Sequence, residues 1–206
     1  MNTLSTTLST HGWWLAARAS GLVALFLVTV SVGVGLTMAG KVTRSRPGMG
    51  RKLMAAHEHT ALAALIAIAV HGITLLGDPW LKPGLSGITV PFSMGYQPLF
   101  TGLGVIGGYL AVLLGLTFYA RRRIGVKLWR KAHRATILIY VLAVAHTLGA
   151  GTDASTPWLR WWMVATAPPI AVLFLVRIAS ARRGARAGAP ARASGAVRRQ
   201  PILEDA

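Results

Sequence analysis

Five stretches of this chain, roughly residues 17–39, 53–77, 99–120, 132–150 and 158–180, are apolar almost throughout. An α-helix needs about 20 such residues to cross ~30 Å of hydrocarbon. Runs that approach or reach this length point to an all-α integral membrane protein, a bundle of five transmembrane helices. Composition agrees, because 53% of the residues are hydrophobic and only 13% are charged, outside the range of an ordinary soluble domain. The N-terminal segment MNTLSTTLSTHGWW lacks the basic n-region of a signal peptide, so the first run reads as a retained helix.

A formal net charge of +17 would suggest nucleic acid in a soluble protein. Its distribution excludes that reading. The turn from Lys41 to Lys52 holds five basic residues, the stretch from Arg121 to Arg134 holds seven, and the segment from Arg177 onward holds seven more. Only Arg18, Lys82 and Arg160 fall at the opposite ends of the spans. The positive-inside rule therefore predicts a multi-pass cell-membrane protein with its N-terminus outside and its C-terminus cytoplasmic. Trp13, Trp14, Trp80, Trp158, Trp161 and Trp162 cluster at the outer ends of the spans, as an interfacial aromatic belt does. The spans define a membrane domain over residues 1–180. Residues 181–206, rich in Ala, Gly and Arg, read as a basic disordered cytoplasmic tail that can brush anionic lipid headgroups.

Cysteine is absent, which rules out disulfides, iron–sulfur clusters, thiolate zinc sites and covalent c-type haem. The run GLGVIG, from Gly102 to Gly107, matches a dinucleotide-binding pattern. It has no preceding strand and no acidic residue about 20 positions on, so the mechanism of that motif is missing. Close packing of helices through small residues explains it better.

Four of the six histidines pair up by span. His57 and His71 are 14 apart on the second run, and His133 and His146 are 13 apart on the fourth. Fourteen residues rise about 21 Å and return to within about 40° of the starting direction, while thirteen rise about 19.5 Å. Both runs cross in the same direction, so the four imidazoles fall at two matched depths. An iron porphyrin takes two axial ligands, and neutral imidazole is a standard one. The pattern suits two stacked haems held between two helices. Thirteen residues leave the rings of His133 and His146 about 140° out of phase on an ideal helix. An irregularity between them is therefore expected, either a π-bulge or a helix start just after His133. His59 points about 200° away from His57 and reads as a non-ligand, and His11 precedes the first span.

The stretches AHEHTALAALIAIAVH and WRKAHRATILIYVLAVAH resemble the ferric reductase-like transmembrane family, which includes ferric reductases and the membrane part of NADPH oxidases. The spacings of 14 and 13, and the Trp129, His133, Arg134 lead, carry that resemblance over roughly residues 13–180. It implies that His57 and His133 hold an inner haem b, that His71 and His146 hold an outer one, and that Arg18 lies near the outer haem. The family core commonly has six spans against the five found here, its first span lacking a counterpart. Many relatives continue into a flavin- and NADPH-binding domain, whereas this chain ends in the short tail. The resemblance is thus to the short bacterial members, which include the haem subunit of a periplasmic methionine sulfoxide reductase. It implies an oxidoreductase-type electron-transfer component with a separate donor, a flavoprotein reductase or quinone.

The expected function is a transmembrane b-type cytochrome that passes electrons through two bis-histidine haems to an extracytoplasmic acceptor. Two alternatives stay open. One is an electron-input subunit of a periplasmic reductase with a haem and a flavin, although no motif supports the flavin. The other is a non-catalytic haem-binding membrane protein.

Overall fold

The structure is a computed structural model that describes residues 3–40 and 48–187. Seven helices follow in order: α1 (Thr3–Ala39), α2 (Met49–Leu76), α3 (Gly84–Thr89), α4 (Pro98–Ile124), α5 (Val126–His133), α6 (Thr136–Ala150) and α7 (Pro157–Ala187). Among the described residues no strand occurs, and five helical segments are long and apolar enough to cross a membrane: His11–Ala39, Met49–Leu76, Pro98–Ile124, Val126–Ala150 and Pro157–Arg183. The expected bundle of five is what the chain forms. Helices α1, α2, α4 and α7 start or end beyond the apolar runs read from the sequence. Arg121, Arg122 and Arg123, for example, occupy the last turn of α4, where cations also meet the helix dipole favourably.

The two ends of the bundle differ. One carries Arg51 and Lys52 at the start of α2, the three arginines of α4, Arg130 and Lys131 on α5, and Arg182 and Arg183 on α7. The other carries Trp13, Trp14, Trp80, Trp158, Trp161 and Trp162. These are called the basic and the aromatic end below. Helix α7 continues to Ala187, past the boundary that composition sets at residue 180. The rest of the tail lies outside the described residues, as do Lys41, Arg44 and Arg46 of the first basic turn.

Packing is pairwise. α1 lies along α2, α4 lies along α6, and α1 also touches α6 and α7. Val28, Val32, Leu36, Ala64, Ala111, Leu114, Ile139, Tyr140 and Ile170 form the buried centre where these helices meet. The outward faces carry exposed Phe26, Ile66, Ile73, Leu113, Leu116, Val164 and Leu175, as a lipid-facing surface does. Gly107 on α4 faces Leu142 of α6, where an added Cβ would stand 3.4 Å away. The GLGVIG run is therefore a close-packing surface, not a phosphate loop.

The fourth span breaks where an irregularity was expected. α5 ends at His133 and α6 begins at Thr136. Ala135 N–H donates to Ala132 O at 2.8 Å and Leu138 N–H donates to Ala135 O at 2.9 Å. These i→i−3 bonds wind the chain more tightly than an α-helix. The device is thus a tight restart after His133, not a π-bulge.

Candidate haem-binding site

The break and the straight helix α2 bring four imidazoles together in two pairs. His57 on α2 faces His133 at the end of α5, with ring centres 6.0 Å apart and planes at 84°. His71 on α2 faces His146 on α6, with ring centres 6.2 Å apart and planes at 74°. The first pair lies toward the basic end and the second toward the aromatic end. Within α2 they are separated by fourteen residues, about 21 Å of helix.

Three of the four rings are held in the same way, and the reason is written in the backbone of the facing helix. His71 Nδ1–H donates to Ala17 O at 2.7 Å, His57 Nδ1–H to Ser31 O at 2.9 Å and His146 Nδ1–H to Phe100 O at 2.9 Å. In each case the residue four positions after the acceptor is a glycine: Gly21, Gly35 and Gly104. A helical carbonyl already accepts the N–H of residue i+4, and the Cβ of that residue tilts back toward it. Glycine removes the Cβ, so an imidazole can reach the carbonyl as a second donor. An added Cβ would stand 3.0 Å from the ring of His71 at Gly21, 3.2 Å from that of His57 at Gly35 and 2.6 Å from that of His146 at Gly104. With Nδ1 committed as donor, Nε2 is left as a bare lone pair, the state of a metal-ligating histidine.

The fourth ring is held differently. Fourteen residues beyond Gly104, α4 carries Phe118 instead of a glycine. His133 Nδ1 is buried without a hydrogen-bond partner, and the ring stacks on Trp129 of its own helix, centres 4.8 Å apart and planes at 25°. Trp129 in turn meets Phe118 edge-on at 5.8 Å.

Two cavities surround the pairs. The larger, about 400 Å³, reaches from His71 and His146 to Trp14, Arg18, Asp78 and Asp153 at the aromatic end. The smaller, about 150 Å³, contains His57 and His133 with Ser31, Gly35, Gly115 and Arg177. Val28, Leu65, Ile68 and Ile139 line both and form the floor between them.

Arg18 lines the larger cavity, and it has a partner that the sequence did not suggest. Asp153, from the loop between α6 and α7, is buried and accepts from Nε and Nη2 of Arg18 in a bidentate pair. The guanidinium also sits over the Trp14 ring, 5.0 Å from its centre. Asp78 is buried too: Oδ1 accepts the backbone N–H groups of Trp80 and Leu81 at 2.8 and 3.0 Å, while Oδ2 has no partner. His59 is exposed, its Nδ1–H donates to Ala55 O within its own helix, and it lines neither cavity.

The donor set fits an iron porphyrin. Metal–imidazole bonds of about 2 Å, with each ring centre about 1 Å behind its nitrogen, put two trans imidazoles roughly 6 Å apart, and both pairs meet that separation. A bare metal ion would need more ligands. Among the described residues no cluster of three or more His, Cys, Asp or Glu offers them.

A membrane bundle with paired imidazoles between its helices defines the class. Residues 20–144 match the family described as ferric reductase like transmembrane component, and the chain belongs to that family. Membership gives it the coarse role of a haem-binding electron-transfer component in a membrane. No match was found among the curated proteins or among the solved structures.

Proposed function

We propose that the chain is a transmembrane b-type cytochrome with two bis-histidine haems. His57 and His133 hold the one nearer the basic end, and His71 and His146 hold the one nearer the aromatic end. The observation that carries this reading is the repeated pairing: two imidazole couples at the same ring separation, with Nε2 of three rings freed by an Nδ1–H bond to a helix carbonyl. Bound haem supplies a one-electron couple at each depth.

The chain's own residues do the rest. The carbonyls of Ala17, Ser31 and Phe100 fix ring orientation and strengthen the ligands. The apolar floor of Val28, Leu65, Ile68 and Ile139 keeps water out of the path between the tiers. Two centres about 21 Å apart along α2 divide ~30 Å of hydrocarbon into shorter steps. Asp153 takes two of the five N–H donors of Arg18, leaving the others for a carboxylate in the aromatic-end cavity.

The clustering of basic residues supports a cytoplasmic basic end in the cell membrane, with the N-terminus outside and the C-terminal tail inside. Residues 1–180 then form the haem domain and 181–206 its cytoplasmic extension. Electrons enter there from a separate flavoprotein or quinone donor and leave toward an extracytoplasmic acceptor. Haem quantification per purified chain, with a potentiometric titration of the α band, tests the reading. Two b-type haems with separate midpoints support it, and a colourless protein from iron-replete cells overturns it.

A further inference from the structure

Two arginines line the paired cavities, and they are in opposite situations. Arg18, in the aromatic-end cavity, is neutralised by Asp153 and covered by Trp14. Arg177, on α7, lines the basic-end cavity with His57 and His133. It is partly buried and lies within the membrane-spanning segment Pro157–Arg183.

No protein anion answers Arg177 among the described residues. Their three acidic side chains are Glu58, Asp78 and Asp153. Asp153 is committed to Arg18, Asp78 belongs to the other cavity, and Glu58 is exposed and does not line this one. An uncompensated cation in a membrane span is strongly unfavourable. Among the described residues, therefore, no side chain of opposite charge answers it. The cavity already offers two imidazoles suited to an iron.

We propose that Arg177 is an anion-binding residue of the basic-end cavity, and that it clamps a propionate of the porphyrin whose iron His57 and His133 hold. This rests on the bis-histidine reading above. Guanidinium presents a planar fork that matches a carboxylate bidentately, and the porphyrin carries two such groups. Arg177 thereby fixes the rotation of the ring about its iron–imidazole axis, which two histidines alone leave open. Its positive charge also favours the reduced iron, so that haem's midpoint is higher than the same site would give without it. A lipid phosphate reached by snorkelling offers the same anionic chemistry from a different source.

The test uses the full-length protein, wild type and Arg177→Gln, with Arg177→Lys and the exposed Arg182→Gln alongside. Haem per chain and both midpoints are measured in neutral detergent and in nanodiscs with and without anionic lipid. His57→Ala and His71→Ala assign the midpoints. The expected result is a lowered basic-end midpoint, or selective loss of that haem, in Arg177→Gln under all three conditions. The aromatic-end haem stays unchanged, Arg177→Lys shifts less in the same direction, and Arg182→Gln matches wild type. Wild-type haem content and midpoints in Arg177→Gln overturn the proposal, as does a difference that appears only with anionic lipid. Where Arg177→Gln does not accumulate, Arg177→Lys decides, and its matching wild type in every measure overturns the proposal. A wild-type protein without haem overturns the underlying reading instead, whatever Arg177 does.

Discussion

Gly104 of α4 lies against the imidazole of His146, so close that a Cβ at that position would fall 2.6 Å from Nδ1. The same glycine stands four residues after Phe100, whose carbonyl the imidazole binds. Clearance and hydrogen bond are thus one device, and it recurs at Gly21 with His71 and at Gly35 with His57.

The three glycines should not be equally sensitive. Gly104→Ala is expected to displace His146 most, Gly21→Ala to disturb His71 less, and Gly35→Ala to be tolerated best, following the clearances of 2.6, 3.0 and 3.2 Å. Haem per chain and the width of the low-spin ferric EPR signals read this order. Full haem with unaltered EPR in Gly104→Ala would sink the idea that these glycines are there for the rings.

Ligand substitutions should separate the tiers. His71→Ala or His146→Ala is expected to remove the aromatic-end haem and leave much of the other, and His57→Ala or His133→Ala to do the converse. His59→Ala should keep both, since its ring is exposed and bonded within α2. Pyridine haemochrome assays on the purified variants give the count. A fall to half in His59→Ala would show that the basic-end ligand was misassigned.

The Arg18–Asp153 pair joins α1 to the loop between α6 and α7. Asp153→Asn should lower thermal stability in detergent by about 1.5–3 kcal/mol, the usual worth of hydrogen bonds to a charged group. The double change Arg18→Gln with Asp153→Asn should lose less than the two single losses added together, because neither charge is then left alone. Strict additivity in the melting curves would mean that the two side chains do not act as a unit.

Trp129 stands in for the carbonyl that His133 lacks. Trp129→Phe, which keeps a stacking face, should retain the basic-end haem, while Trp129→Ala should broaden its EPR signal or lose it. The aromatic-end haem serves as the internal control. Equal behaviour of the two variants would assign the fourth ring's support to something other than stacking.

Much of this was legible in the residues alone. Five apolar runs set the bundle, and the spacings of 14 and 13 put His57 with His133 and His71 with His146. The phase error of the shorter spacing even announced the break after His133. The glycines were also there to be found: Gly21 and Gly35 repeat the 14-residue interval of His57 and His71 on an antiparallel neighbour. What hid them was chain composition, because 23 glycines make any one interval unremarked until the helix pairing is known. Asp153 was hidden for another reason. It lies 135 residues from Arg18, and the fold alone brings a loop carboxylate to a cation near the chain's start. That no described acidic side chain answers Arg177 is likewise a three-dimensional fact, since the sequence counts it with its basic neighbours as topology.

Helix α1 supplies the acceptor and the clearance for one imidazole in each pair, through Ala17 with Gly21 and Ser31 with Gly35. Its sliding by a single turn along α2 would withdraw both supports together, whereas a shift of α4 would unseat His146 alone. The alignment of this one rod is therefore a shared fastening. With two haems bound as proposed, loss of it would bleach both in a single step instead of one after the other.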